Sequence, residues 1–218
     1  MGHFVTYDII VEERKNMAGL YIHVPFCRQA CRYCDFYFTV SLKYRDAFVS
    51  ALLKEISYRK NDNNKETIST IYLGGGTPSV LTKDQLKRIM GSVTKDYSID
   101  GNAEITIEAN PDDLTEDYID CLRGEGFNRL SIGIQSFQEK NLELMRRSHN
   151  SKQAKECLTL SQSKGFENIS IDLIYGMPGL SLPEWEENLR IAIAHRITHI
   201  SAYHLTYEPG TVFHHWRK

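Results

Sequence analysis

The stretch AGLYIHVPFCRQACRYCDF, residues 18–36, joins an apolar run directly to a loop that carries three cysteines. Residues 18–24 include β-branched and aromatic side chains, which predicts a β-strand. Cys27, Cys31 and Cys34 follow in the spacing C-x3-C-x2-C. The chain therefore places a cluster of metal-ligating side chains immediately after its first predicted strand.

The three clustered cysteines are suited to metal binding. The chain has five cysteines, an odd count whose clustering is not typical of a disulfide framework. Thiolates bind zinc and iron–sulfur centres, but structural zinc takes four ligands, and the nearest fourth candidate is His23 in the predicted strand. Three thiolates can instead hold three corners of a [4Fe–4S] cubane and leave one iron open. The open cluster is the favoured interpretation, with zinc or purely structural cysteines as alternatives. Cys121 and Cys157 are predicted to be core residues.

Six apolar runs alternate with segments of helical period. The predicted strands are residues 18–24, 67–74, 103–109, 129–135, 168–176 and 199–206. Helix starts are indicated by Thr82 with Gln85 and by Ser181 with Glu184, because each pair matches a capping box. Strands that alternate with helices predict parallel βαβ units and an α/β fold. We expect a partial (β/α)6 TIM-like barrel, with an open sheet covered by helices on both faces as the alternative.

The unusual residues of the chain follow the predicted strands. They occupy residues 25–27, 74–78, 108–111, 135–136, 176–179 and 208–210. In both candidate folds, ligands bind at the carboxyl ends of the strands. The segment from Gly74 to Pro78 is rich in glycine, which lets the backbone approach a ligand closely. We therefore expect six separate segments to converge on one site.

Composition narrows the class of protein. The 218 residues suffice for one large domain or two small ones, and 41% hydrophobic with 25% charged residues is ordinary for a globular protein. A net charge of −2 without long runs of one sign does not favour a nucleic-acid partner. No apolar stretch approaches a membrane span, and residues 1–16 do not have the pattern of a signal peptide. We expect a cytoplasmic protein.

Several strings together resemble one protein family. The string YIHVPFCRQACRYCDF, from Tyr21 to Phe36, is followed by YLGGGTPSVL, ITIEANPDDLT, RLSIGIQSF, LMRRSHN, IDLIYGMPG and YHLTYEPGT. Over residues 18–212 these resemble the radical S-adenosylmethionine (SAM) subfamily that includes oxygen-independent coproporphyrinogen III oxidase. The chain is most similar to the haem chaperone branch. It has Phe36 where the oxidase has a further cysteine, and the arm before Tyr21 is shorter than that of the oxidase.

The resemblance implies a cofactor site with two kinds of residue. The [4Fe–4S] cluster would be held by Cys27, Cys31 and Cys34. SAM would be bound by Tyr21, Tyr33, Phe36, Gly75, Gly76, Thr77, Glu108, Gln135, Arg147 and Asp172. In the family, the glycine run contacts the SAM amino group and the matching glutamate binds the ribose hydroxyls. The positions of Gln135, Arg147 and Asp172 touch a second SAM molecule in the oxidase.

Simpler interpretations exist for some of these residues. Tyr21 and Tyr33 could be core aromatics, Glu108 a solvated carboxylate and Arg147 a surface charge. Asp172 has apolar neighbours in sequence, so its side chain is expected to point into the barrel. A buried carboxylate needs a partner, for which Arg147 is a candidate.

The resemblance also implies a function. Members of the chaperone branch bind haem and deliver it to acceptor proteins, whereas the oxidase uses a SAM-derived radical in porphyrin biosynthesis to decarboxylate coproporphyrinogen III. Haem carriage is favoured, with the oxidase as the alternative and an inactive truncated fragment as the second alternative. The implied cofactors are the cluster, SAM and haem. The implied partners are haem or porphyrin, an acceptor protein and an electron donor such as a flavodoxin or ferredoxin. A membrane would be met only through the acceptor.

Three regions are expected along the chain. Residues 17–212 would form the radical SAM core. Residues 1–16 would be an N-terminal extension or a mis-start, since Met17 resembles the natural start of the family. Residues 213–218 would begin a C-terminal region that this sequence does not contain.

Overall fold

Six parallel strands form one sheet in chain order in the computed structural model, which describes residues 17–62 and 66–216. The strands are β1 (Met17–Val24), β2 (Thr67–Gly75), β3 (Ile99–Ala109), β4 (Arg129–Gln135), β5 (Asn168–Tyr175) and β6 (His199–His204). Each strand pairs with its neighbour in sequence. The six predicted strands are confirmed, although β3 begins four residues earlier and β6 ends two residues earlier than predicted.

Helices connect the strands. They are α1 (Arg45–Arg59), α2 (Lys83–Asp96), α3 (Glu116–Gly124), α4 (Glu139–Met145), α5 (Ser151–Ser163), α6 (Leu182–Ala194) and α7 (Val212–Trp216). Among the described residues, the connection from β4 to β5 carries two α-helices, α4 and α5, and the other connections between strands carry one α-helix each. The first three connections also contain short 3-10 helices at Leu42–Tyr44, Pro78–Val80 and Pro111–Asp113.

The helix starts follow their capping residues. The Thr82 hydroxyl accepts a hydrogen bond from the Gln85 amide at 3.2 Å, and the Gln85 side chain accepts one from the Thr82 amide at 2.9 Å. Before α6, the Glu184 carboxylate accepts from the Ser181 amide at 2.9 Å. These bonds satisfy amides that the first helical turn leaves without partners. Both predicted helix starts are confirmed.

The hydrophobic core lies between one face of the sheet and the helices. Alternation in β1 buries Ile22 and Val24 on this face, while Tyr21 and His23 project to the other face. One cluster contains buried side chains of β1 to β5 and of α1, α2, α3, α5 and α6, with Ile200 of β6 partly buried against it. The opposite face of the sheet lines a cavity, described below. Helices on one side and a cavity on the other confirm the partial (β/α)6 barrel rather than an open sheet covered on both faces.

A smaller apolar cluster joins the end of the described chain to the cysteine loop. Phe213 in α7 packs with Met145, Ile174 and other residues beneath the barrel mouth. Its amide donates to the carbonyl of Arg32 at 3.1 Å. The expected domain limits remain predictions, and the expectation for residues 1–16 lies outside the described residues.

Within residues 17–62 and 66–216, no helix has the length and apolar character needed to cross a bilayer.

The core face of the sheet should dominate stability. Leu73 in β2 is fully buried between β1 and β3, so we expect Leu73→Ala to lower the free energy of unfolding by about 2–5 kcal/mol. Urea unfolding followed by circular dichroism measures this change. Tyr58→Ala, at a position that is 85% exposed, should change the same quantity by less than about 0.5 kcal/mol. Equal effects of the two substitutions would contradict this description of the core.

Candidate cofactor site

A cavity of about 530 Å³ opens at the carboxyl end of the sheet. Every strand contributes to its lining, through Tyr21 and His23 of β1, Gly75 of β2, Glu108 of β3, Gln135 of β4, Asp172 of β5 and Tyr203 of β6. The three clustered cysteines line the same cavity. The structure thus brings together all thirteen predicted cluster and SAM residues.

Backbone hydrogen bonds anchor the cysteine loop at two points. The Cys27 amide donates to the Thr39 carbonyl at 3.0 Å, and the Arg32 amide donates to the Met145 carbonyl at 3.0 Å. All three thiols are free and partly exposed. The loop therefore holds the three thiols at the cavity, and none of them is in a disulfide.

The glycine run packs directly against this loop. A β-carbon added to Gly76 would lie 2.8 Å from the Phe26 carbonyl oxygen and 3.0 Å from the Cys27 sulfur. Gly75 has φ of +121°, which side chains rarely adopt, and a β-carbon there would lie 2.8 Å from the His23 ring. Glycine at these positions is therefore required for β2 to end beside the cysteines.

The thiols suit a cluster better than a single metal ion. Burial raises the pKa of Cys27, and it raises the pKa of Cys34 to about 11, so both are protonated at neutral pH and would lose protons on binding iron. Among the described residues, no three His, Cys, Asp or Glu side chains are arranged to hold one metal ion. His23 instead pairs with the Tyr21 hydroxyl at 3.1 Å. A cubane spans more space than one ion, and three thiolates with one open iron match this set of donors.

Glu108 is held rather than solvated. Its carboxylate accepts from the Tyr72 hydroxyl at 2.8 Å and from the Gly75 amide at 3.0 Å. Burial raises the pKa of Glu108, and these two hydrogen bonds oppose that rise. A carboxylate has about four acceptor positions, so the side chain can still accept hydrogen bonds from a diol in the cavity.

Arg147 connects its own segment to three others at the cavity wall, namely the cysteine loop, the end of β3 and β4. Its guanidinium donates to the Asn110 side chain at 2.6 Å, the Gly133 carbonyl at 2.8 Å, the Tyr33 hydroxyl at 3.3 Å and the Cys31 sulfur at 3.4 Å. The alternative of a surface charge is therefore wrong. Arg147 was a candidate partner for Asp172, but the hydrogen bonds of its two terminal nitrogens go to Asn110, Gly133, Tyr33 and Cys31, and its Nε has no partner among the described residues. Asp172 is instead hydrogen-bonded by Ser201, and Arg147 influences it only through its charge.

Asp172 faces the cavity with a perturbed pKa. Burial, together with the negative charge of Glu108, raises its pKa to about 6. The Ser201 hydroxyl and the more distant positive charge of Arg147 act in the opposite direction. The predicted orientation into the barrel is confirmed by the position of Asp172 in the cavity lining.

Gln135 reaches the cavity through an irregularity in the sheet. The pairing of β4 with β5 shifts between Ile132 and Gln135, and Gln135 has φ of +65°. His149, which the sequence reasoning missed, supports this turn by hydrogen bonding the Ile134 carbonyl at 3.1 Å. Burial lowers the pKa of His149 to about 3, so the ring is neutral and donates this bond. Its place in the string LMRRSHN, beside Arg147, was the available signal.

Three aromatic residues of the predicted set differ in burial. Tyr33 belongs to the small apolar cluster at the mouth, and burial raises its pKa, so the hydroxyl stays protonated. Tyr21 is 57% exposed and stacks on Tyr72, with ring centroids 6.0 Å apart. Phe36 is 72% exposed at the rim of the cavity. The core-aromatic alternative is therefore wrong for Tyr21, whereas Tyr33 combines packing with a hydrogen bond.

Two sequence expectations about position are wrong. Residues 176–179 and 208–210 do not line the cavity; β5 and β6 contribute strand residues and the segment 203–206 instead. The loop after β5 turns away because Met177 and Leu180 pack into the small apolar cluster.

The two cysteines outside the loop differ in burial. Cys157 is buried in the core as predicted, but Cys121 is half-buried on α3 and lies outside the core.

The raised pKa of Asp172 makes stability depend on pH. Its folded-state pKa of about 6 exceeds the ordinary 3.8, so ionisation of Asp172 lowers the free energy of unfolding. This cost is absent below about pH 4, increases between about pH 4 and pH 6, and is complete above about pH 6. Asp172→Asn should raise the free energy of unfolding by about 1–3 kcal/mol at neutral pH, with the gain fading toward pH 4. Urea unfolding at several pH values measures this, with the exposed Asp62→Asn as control. A gain that does not change with pH would contradict the assignment.

Comparisons with known proteins agree with this geometry. The chain is 41% identical over 198 residues to the heme chaperone HemW of Buchnera aphidicola, covering 90% of this chain and 52% of that protein. It is 38% identical over 201 residues to HemW of Bacillus subtilis, covering 91% and 53%. The structure of coproporphyrinogen III oxidase (HemN) from Escherichia coli superposes with a TM-score of 0.84 at 31% identity, covering 92% of this chain and 46% of that one. The chain therefore spans about half the length of the relatives it matches.

The family model of the Radical SAM superfamily matches residues 21–192, a range that includes the cysteine loop, the glycine run and Asp172. Such proteins generally use a [4Fe–4S] cluster and SAM, which agrees with the three free thiols at one cavity. The chain belongs to the Radical SAM superfamily.

Proposed function

We propose that this chain is the cofactor-carrying part of a radical SAM haem chaperone, which binds haem and delivers it to acceptor proteins. The observation that carries the proposal is that three free thiols and residues from the ends of all six strands line one cavity. The heme chaperones among the relatives, at 41% and 38% identity, favour this function over others of the superfamily.

The three cysteines would hold the cluster. Cys27, Cys31 and Cys34 would bind as thiolates, and the protons of the free thiols would leave on assembly. When bound, a [4Fe–4S] cluster supplies one-electron chemistry and an open iron for SAM. The protein contributes the burial and the hydrogen bonds that surround the sulfurs.

The strand ends would hold SAM. Glu108, fixed by Tyr72 and the Gly75 amide, presents free acceptor positions for ribose hydroxyls. Gly75 and Gly76 bring backbone close enough for the SAM amino group, with Thr77 beside them. Tyr21, Tyr33 and Phe36 offer ring surfaces, and Gln135, Arg147 and Asp172 supply polar groups on the opposite wall.

Haem would bind at the rim of the cavity. Phe36 is 72% exposed and the adjacent Tyr37 is 82% exposed, and both line the mouth of the cavity. Exposed aromatic rings offer large flat apolar surfaces, which suit a porphyrin macrocycle. Haem carriage would further need a haem-acceptor protein, and reduction of the cluster would need an electron donor such as a flavodoxin or ferredoxin. These partners fit a cytoplasmic protein that meets a membrane only through its acceptor.

Oxidation of coproporphyrinogen III is the second candidate function. It is favoured by the TM-score of 0.84 and the 31% identity to the Escherichia coli oxidase. The aromatic residue at Phe36, where the oxidase has a cysteine, favours carriage instead.

The cluster proposal predicts a spectroscopic signal. After anaerobic reconstitution with iron and sulfide and reduction with dithionite, the chain should show the EPR spectrum of a [4Fe–4S]⁺ cluster that changes on addition of SAM. Cys27→Ala should lose most of the bound iron because it removes one of three ligands. Cys121→Ala is the matched control, since that thiol lies outside the cavity. Bound zinc, or a signal that Cys27→Ala leaves intact, would overturn the site.

Haem carriage and oxidation predict different results with porphyrins. We expect the reconstituted chain to bind haem, seen as a shifted Soret band, and to release no CO₂ from coproporphyrinogen III in the presence of SAM and dithionite. Phe36→Ala should weaken haem binding several-fold through loss of apolar contact, whereas Tyr58→Ala, exposed on α1, should not. Turnover of coproporphyrinogen III would favour the oxidase.

A further inference from the structure

Two side chains from outside the cysteine loop donate hydrogen bonds to its sulfurs. The Thr77 hydroxyl donates to the Cys27 sulfur at 3.3 Å. The Arg147 guanidinium donates to the Cys31 sulfur at 3.4 Å. Thr77 follows β2, and Arg147 follows α4, so the fold rather than local sequence delivers both donors to the sulfurs.

Both donors are held in place. Thr77 is only 6% exposed, in the turn between the glycine run and Pro78. The second terminal nitrogen of Arg147, Nη2, donates to the Asn110 side chain at 2.6 Å and to the Gly133 carbonyl at 2.8 Å, while Nε has no partner among the described residues.

Asn110, which holds Arg147, is itself fixed. Its backbone amide donates to the Ser79 hydroxyl at 3.1 Å, and the Ser79 hydroxyl donates to the Asp113 carboxylate at 2.7 Å. Arg28 of the cysteine loop donates to the same carboxylate at 2.7 Å. Arg147 and the cysteine loop therefore belong to one network of hydrogen bonds, which Thr77 joins through Cys27.

We propose that Thr77 and Arg147 are positioning residues that set the reduction potential of the cluster by donating to the sulfurs of Cys27 and Cys31. This inference rests on the cluster assigned under the proposed function. Reduction adds one electron to [4Fe–4S]²⁺, giving [4Fe–4S]⁺, and part of the added charge resides on the cysteine sulfurs. Hydrogen bonds to those sulfurs stabilise the reduced state and raise the potential.

The two donors should differ in strength. Arg147 carries a full positive charge, and hydrogen bonds from charged donors are roughly twice as strong as neutral ones. Glu108 and Asp172 face the same cavity with negative charge, which favours the oxidised cluster. The Asp113 carboxylate favours the oxidised cluster less, because the Arg28 guanidinium lies 2.7 Å from it and neutralises its charge. Of the charged groups Glu108, Asp113, Arg28, Asp172 and Arg147, only Arg147 is positive and donates a hydrogen bond to a cysteine sulfur.

The test is the midpoint potential of the reconstituted chain, followed by EPR during anaerobic titration with dithionite. We expect Thr77→Val and Arg147→Gln to shift the potential to more negative values, with the larger shift for Arg147→Gln. Thr77→Ser keeps the hydroxyl and should restore the original potential. Arg146→Gln removes the same charge from the neighbouring exposed position and should leave the potential nearly unchanged.

The outcomes separate this inference from the proposed function. Unchanged potentials in Thr77→Val and Arg147→Gln, at full iron and sulfide content, would overturn the inference alone. A shift in Arg146→Gln as large as that in Arg147→Gln would also overturn it, because it would reflect net charge and not a hydrogen bond. If Arg147→Gln assembles no cluster, the comparison of Thr77→Val with Thr77→Ser decides. A wild-type chain without a cluster would overturn the proposed function and this inference together.

Discussion

The parallel pairing of six strands in chain order determines where every functional side chain lies. In such a sheet all carboxyl ends point to one edge, so residues that are far apart in sequence meet there. Cys27 and Asp172 line one cavity although 145 positions separate them in the numbering. The helices bury one face of the sheet, and the other face is left for polar side chains. The site therefore depends on the core packing behind it.

Close approach of two strand ends is the second constraint. β1 and β2 pair as far as Val24 and Gly75, so the loops that follow must occupy adjacent space. Only glycine fits at Gly76, where a β-carbon would meet the Cys27 sulfur at 3.0 Å. The absence of side chains there admits the cysteine loop, and the next residue, Thr77, is then within hydrogen-bonding distance of Cys27. Backbone geometry thus fixes the chemistry of the loop.

Local patterns predicted much of this structure. Strand runs, capping pairs and the C-x3-C-x2-C spacing depend on neighbours in sequence, so the sequence alone indicated them. The partners of Arg147 depend on tertiary contacts, since Asn110 and Gly133 lie on separate segments and neither is an acidic residue that charge pairing would suggest. The loop after β5 was misplaced for a similar reason, because its course follows the packing of Met177 into a cluster assembled from distant segments. His149 was missed because its burial and its hydrogen bond to the Ile134 carbonyl are tertiary features, and its place near Arg147 in LMRRSHN was the only local signal.

The polar interior of the barrel has a thermodynamic consequence. Strands of a parallel sheet are usually apolar on both faces, whereas here Glu108, Gln135 and Asp172 occupy the inner face. Desolvation raises the pKa of both carboxylates, so their ionised forms oppose folding at neutral pH. That cost is tolerated because the helix side of the sheet supplies a continuous core around Leu73 and Ile107. The cavity face thus lowers stability at neutral pH, and the apolar side chains on the helix face of the same strands offset that cost.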